Sequence, residues 1–148
     1  MRGTVPTVIV GANILLREEL IAALRPLGYR VAASKASISE IGPEDFPPSD
    51  PSLLIVECSD GSQRLIPHLV AVRQQTPLVR IALLGHDWRP SEIAAAFIAG
   101  ANAYFAKATA SDEFVSTVDL IMRGRESGLP GELLPGQSDI EHDNRSRA

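Results

Sequence analysis

Apolar residues in this chain fall in short runs that alternate between two spacings. Thr7-Val8-Ile9-Val10 is a β-branched run stopped by Gly11, the pattern of a buried strand ended by a turn. From Asn13 the spacing changes: Leu16, Leu20, Ala23, Leu24 and Leu27 recur at helical intervals, with Asn13 placed to cap the first turn and Gly28 to follow the last. Tyr29 to Ala33 predicts a second strand. The stretch 37–52 then carries four prolines and four acids, which allows at most a stunted helix.

Ser52-Leu53-Leu54-Ile55-Val56 is continuously apolar rather than alternating, as expected of a central strand covered on both faces. Ile66, Leu69, Val70 and Arg73 mark a helix in which Pro67 is tolerable because it falls in the first turn. Leu78 to Leu84 predicts a fourth strand. Pro90 opens a helix with Ile93, Ala96 and Phe97 inward, and Gly100 ends it. Ala103 to Ala106 predicts a fifth strand. Ser111 is placed to cap a last helix whose first turn holds Asp112 and Glu113, favourable to the helix dipole, and whose stripe is Phe114, Val118, Ile121 and Met122.

Strict alternation of five strands with helices, the second of them doubtful, predicts an α/β doubly wound three-layer sandwich on a parallel sheet. Beyond position 125 the composition turns to Gly, Pro, Ser and charge without periodicity, so the reading is one domain over 1–125 and a flexible linker or tail over 126–148. The chain has 148 residues, 14 basic against 18 acidic, for a net charge of −4. A phosphate backbone meets no attractive field, and direct nucleic-acid binding by this chain is not expected. One cysteine, Cys58, cannot form an internal disulfide, which suits a reducing, cytoplasmic setting. No apolar stretch has the length of a signal-peptide core or a membrane span.

Ligands of open parallel sheets sit outside the carboxyl ends of the strands. Those ends hold Gly11 and Ala12, Glu57 and Cys58, Gly85, His86 and Asp87, and Lys107. The element order, the Glu57 position, the segment Gly100-Ala101-Asn102-Ala103-Tyr104-Phe105-Ala106-Lys107 and the helix from Phe114 through Ile121 to Gly124 resemble the receiver domain of bacterial response regulators. The likeness is greatest to the NarL/FixJ, or LuxR-type, subfamily. It implies a flavodoxin-like fold with strand order 2-1-3-4-5.

Receivers take a phosphoryl group onto an aspartate after the third strand. They use Mg²⁺ held by two acids after the first strand, a hydroxyl after the fourth, a lysine after the fifth and a switch aromatic. Charge neutralisation and positioning do most of that chemistry. Carried onto this chain, the metal acids fall on Gly11 and Ala12, the phosphoacceptor on Glu57, the hydroxyl on Gly85, the lysine on Lys107 and the aromatic on Tyr104. Only the lysine and the aromatic match.

The expectation is therefore a degenerate, phosphorylation-independent pseudo-receiver with no cofactor, in which Glu57, longer than aspartate by one methylene, stands in for the modified residue. A residual phosphoacceptor at Glu57 or Asp60 is the lesser possibility. A plainer reading pairs Glu57 with Lys107. One-sided loss of such a pair costs about 3–5 kcal/mol when desolvated. Two readings of Trp88 stay open: on the surface it would mark a partner face, and inserted it would fill the pocket that Gly85 leaves. Tyr104 is either a switch or a core aromatic.

The resemblance implies an interaction and dimerisation module rather than an enzyme. Its expected partners are a second copy, a helix-turn-helix output domain in a parent protein, and a histidine kinase or another protein. Arg89, Glu92, Asp119 and Arg123 are the candidate contact residues, on the face of the fourth helix, fifth strand and fifth helix or on that of the first and fifth helices. The alternative is a small α/β enzyme or ligand-binding protein that uses Cys58 as a thiol nucleophile and His86 as its base. His68 reads as a solvated helical side chain, and no Gly-x-Gly-x-x-Gly follows any strand.

Overall fold

The computed structural model describes residues 5–47, 51–58, 61–106 and 111–124. Five strands, β1 (Val5–Val10), β2 (Tyr29–Lys35), β3 (Ser52–Cys58), β4 (Val79–Gly85) and β5 (Ala103–Ala106), form one parallel sheet in the order β2-β1-β3-β4-β5. Among the described residues three α-helices connect strands, α1 (Ile14–Leu24), α2 (Ile66–Gln75) and α3 (Pro90–Ala99), and a fourth, α4 (Ser111–Gly124), follows β5. The fold class and strand order are those expected.

Among the described residues between β2 and β3 there is no α-helix. Two single 3₁₀ turns, Ile38–Glu40 and Pro43–Asp45, stand in its place. Ser37 caps the first with its hydroxyl, and in the second the Asp45 carboxylate accepts the Gly42 N–H, so each turn satisfies its own backbone locally. Pro47, Pro48 and Pro51 then remove the donors a longer helix would need.

The helices begin where their caps put them. Asn13 Oδ1 accepts the N–H groups of Leu15 and Leu16, as its position predicts. The α1 turn tightens into a 3₁₀ turn, Arg25–Leu27, before Gly28 reverses the chain at φ 95°, a conformation that favours glycine. Several boundaries differ from the sequence reading: β1 begins at Val5, β2 runs on to Lys35 and β3 to Cys58, α4 includes Ser111, and Leu78 is half-exposed ahead of β4.

Side chains of the strands alternate into two separate cores. Val8, Val10, Leu54, Val56, Ile81 and Leu83 pack with α2 and α3, while Ile9, Leu53, Ile55, Ala82 and Leu84 pack with α1 and α4. This explains the unbroken apolar run of β3: every residue from Ser52 to Glu57 is buried because both faces are covered. Phe105 and Phe114 meet edge to face at 4.8 Å and fasten α4 to the sheet. Among the described residues, no helix is long and apolar enough to cross a membrane.

At the end of the sheet away from the carboxyl rim, Arg73 ties together the α2–β4 and α3–β5 connections. Its guanidinium donates to the carbonyls of Pro77, Val79 and Gly100 and to Asn102 Oδ1, and Asn102 Oδ1 also accepts the Ile81 N–H. A rigid planar fork with five donors can serve carbonyls from different elements in this way. The register of β5 against β4 is thereby fixed from outside the ladder.

Candidate functional site

The carboxyl rim brings the ends of β1, β3 and β4 together, and two glycines decide what happens there. Gly11 follows β1 and Glu57 lies near the end of β3. Glu57 is 9 % exposed, and its carboxylate leans sideways toward β1. A Cβ at position 11 would sit 2.8 Å from Glu57 Oε1 and 3.0 Å from Glu57 Cβ. The absent side chain of Gly11 is thus the space the longer acid uses. Any residue with a Cβ at position 11 requires the carboxylate to move.

Gly85 ends β4 and plays the same part for an aromatic pair. A Cβ there would overlap Tyr104 Cε1 and come within 2.8 Å of both Trp88 Cε2 and the Tyr104 hydroxyl. Trp88 and Tyr104 stack with ring centroids 5.1 Å apart and an interplanar angle of 28°. Both are buried. Of the two sequence readings of Trp88, the inserted one is observed.

Asp87 makes that insertion possible. It adopts φ 57°, the left-handed region that Asp tolerates better than most side chains, and so turns the chain back onto the sheet just before Trp88. Burial pushes the Tyr104 phenol above its ordinary value; the Trp88 backbone opposes this, and the charges of Asp87 and Glu92 add to it.

Ala12 supplies no side-chain oxygen, and neither does Gly11. Mg²⁺ takes oxygen ligands, commonly one or two carboxylates besides water. Among the described residues, no group of three or more His, Cys, Asp or Glu side chains comes together. Lys107, Asp60 and the expected linker or tail over 126–148 lie outside the described residues, and with Lys107 the expected Glu57–Lys107 pair.

Cys58 is half-buried and its thiol donates to the Gly61 carbonyl at 3.4 Å, whereas His86 is exposed and faces Asp87 at 3.6 Å. The thiol and the imidazole thus each meet a different partner. Two of the four candidate contact residues, Glu92 and Asp119, are half-buried rather than exposed. Glu92 caps α3, its carboxylate accepting the Arg89 N–H at 2.8 Å, and Asp119 is half-buried, accepting the Tyr29 hydroxyl at 2.7 Å and pairing with Arg123 at 2.9 Å. Both acids serve packing of the fold. Arg89 and Arg123 are exposed.

One rim residue escapes a sequence reading. Arg17, in the second turn of α1, donates to the Gly11 carbonyl and to the Lys35 carbonyl at 3.3 Å, clasping the ends of β1 and β2. Its spacing of four residues from the Asn13 cap is the sole hint in the sequence.

No protein-family model and no curated protein matches the sequence. Solved structures do match. The isolated REC domain of RcsB from Salmonella enterica serovar Typhimurium superposes with a TM-score of 0.67 at 13 % identity, over 82 % of this chain and 91 % of that one. The signal receiver domain of the response regulator NarL from Mycobacterium tuberculosis gives 0.67 at 22 % identity, over 83 % and 99 %. A LuxR family DNA-binding response regulator from Silicibacter pomeroyi gives 0.63 at 23 % identity, over 82 % and 93 %. The chain has the receiver-domain fold. Within that fold Glu57 lies near the end of β3, Gly85 ends β4 and Tyr104 lies in β5, and two 3₁₀ turns stand between β2 and β3.

Proposed function

We propose that this chain is the receiver module of a LuxR-type response regulator that works without phosphorylation, as a protein-interaction and dimerisation unit. The observation that carries the reading is the double occupancy of the rim: the Glu57 carboxylate fills the space over Gly11, and the Trp88–Tyr104 stack fills the space over Gly85. Phosphoryl transfer depends on a metal and on positioned polar groups to neutralise developing charge. Gly11, Ala12 and Gly85 supply neither an acid to hold a metal nor a hydroxyl to meet a phosphoryl oxygen. Glu57 holds a fixed negative charge at the rim, in place of one that comes and goes.

Incubation with acetyl phosphate and Mg²⁺, followed by intact-mass measurement, is expected to show no added phosphoryl group. Stable labelling at Glu57 or Asp60 overturns the reading. The homodimer is proposed on the surface flanking β5, where Ile98 on α3 and Leu120 on α4 are 87 % and 63 % exposed. Sedimentation equilibrium tests it: Ile98→Asp should weaken self-association, and an unchanged dimerisation constant counts against this surface. A helix-turn-helix output domain in the parent protein and a kinase or other protein partner belong to the same proposal.

A further inference from the structure

A hollow of about 230 Å³ lies between α2 and the connection from β2 to β3. Each of the two 3₁₀ turns in that connection closes on its own backbone, so side chains rather than a packed helix meet α2. Ile38, Ile41, Pro43 and Phe46 form one wall, and Ala71 and Val72 of α2 form the other. Phe46 is 4 % exposed and belongs to the core between the sheet and α2 and α3, against which Ile38, Ile41 and Val72 also pack. The hollow is an extension of that core.

Its size selects a small occupant. Sites for drug-sized ligands run from roughly 300 to 1,000 Å³, whereas an apolar cavity of about 150 Å³ holds benzene. A volume between these suits one ring with one or two substituents.

Three polar side chains line the hollow, all from α2 or its C-cap: His68, Gln75 and Thr76. Seven positions apart, His68 and Gln75 share a helix face and are separated by about 10 Å along its axis, at roughly 1.5 Å of rise per residue. Among the described residues neither side chain has a hydrogen-bond partner. Thr76 is 7 % exposed and gives its hydroxyl proton to the Val72 carbonyl at 2.6 Å, which leaves its oxygen as an acceptor. None of the lining side chains is Asp, Glu, Lys or Arg. An ion entering would lose its hydration with no counter-charge to replace it. Glu40 and Glu44 on the turns add repulsion for an anion.

We propose that this hollow binds a small neutral aromatic compound with hydrogen-bonding groups at opposite ends of one ring, a phenol hydroxyl on the His68 imidazole and an amide N–H on Thr76 Oγ1 and Gln75. The ring lies between the Ile38 and Ile41 wall and the Ala71 and Val72 wall. Gly11, Glu57 and Gly85 do not line the hollow, so this ligand input is separate from the rim.

The test is calorimetric titration of the full chain with para-hydroxybenzamide, beside para-hydroxybenzoate, para-hydroxybenzylammonium and toluene, with amide chemical-shift mapping of the same samples. Saturable binding of the amide is expected, with shifts centred on Ile41, Ala71 and Thr76, and binding of the two ions and of toluene at least tenfold weaker. His68→Leu should weaken binding of the amide about fivefold, the worth of one hydrogen bond, and leave toluene unaffected. Ala71→Phe, at an exposed position of α2, should abolish binding by filling the hollow. Circular dichroism verifies that both variants remain folded. Absence of saturable binding, equal binding of toluene or of either ion, indifference to either substitution, or shifts away from α2 and the 38–46 connection overturns the proposal. Because this experiment contains no phosphodonor and changes no rim residue, its failure leaves the phosphorylation-independent reading standing, and labelling at Glu57 leaves the hollow's assignment standing.

Discussion

Gly85 is the position at which the packing of the rim can be measured most directly. Its backbone does not require glycine: the positive-φ glycines among the described residues are Gly28, Gly61 and Gly100. Replacing it with alanine therefore tests side-chain space alone. The new Cβ meets Tyr104 Cε1, the Tyr104 hydroxyl at 2.8 Å and Trp88 Cε2 at 2.8 Å, all ring atoms with no flexible end to yield. If the stack stays and the neighbours shift, overpacking costs about 1–3 kcal/mol. If Tyr104 leaves, the loss is about 0.5–1.5 kcal/mol of stacking together with roughly 1.5–3 kcal/mol of burial. The cheaper route sets the result, so Gly85→Ala is expected to destabilise the domain by about 1–3 kcal/mol. Trp88 is the only tryptophan in the sequence, so its fluorescence reports the stack during urea unfolding. In a Tyr104→Ala background two of the three close atoms are gone and Trp88 has room to yield, so the same substitution should cost less, giving a coupling of at least about 1 kcal/mol. A Gly85→Ala variant with wild-type midpoint and unchanged Trp88 emission would refute the argument.

Three further outcomes follow from the geometry. Arg73→Ala strands the carbonyls of Val79 and Gly100 and should lower stability by about 2–4 kcal/mol in denaturant titration, with Arg73→Lys recovering less than half because an ammonium cannot fork across loops. Tyr29→Phe removes the hydroxyl that Asp119 accepts across α4 and should cost about 1 kcal/mol, read from the same titration. The buried Tyr104 phenol ionises above its ordinary value, so above about pH 10 the unfolded chain loses its proton first. The stability this residue contributes is full below that pH and falls as pH rises through the folded value. Tyr104→Phe should flatten the alkaline loss measured by thermal unfolding between about pH 9 and 11, and an unaltered slope counts against it.

Much of the architecture could be read from spacing because each signal was local. Asn13, Pro90 and Gly100 mark helix ends through backbone chemistry that needs no tertiary partner, and the unbroken run of β3 announces burial on both faces. The prolines of the 37–52 stretch likewise gave away the missing helix. Strand ends overran their apolar runs for a physical reason: β2 continues to Lys35 and β3 to Cys58 because ladder hydrogen bonds, unlike side chains, are blind to polarity.

What spacing could not provide is which side chains fill which space. The sequence shows glycine at 11 and 85 as losses of functional groups; the structure shows both as room that Glu57 and the Trp88–Tyr104 stack occupy. Arg73 and Arg17 look like ordinary helical arginines until loops far apart in sequence bring their carbonyls to the guanidinium. Asp119 likewise reads as surface charge until Tyr29, ninety positions away, meets it. Backbone preference and hydrophobic period act over a few residues and are written along the chain. Steric complementarity and multi-loop hydrogen bonding depend on distances between segments, and those exist only once the sheet has formed.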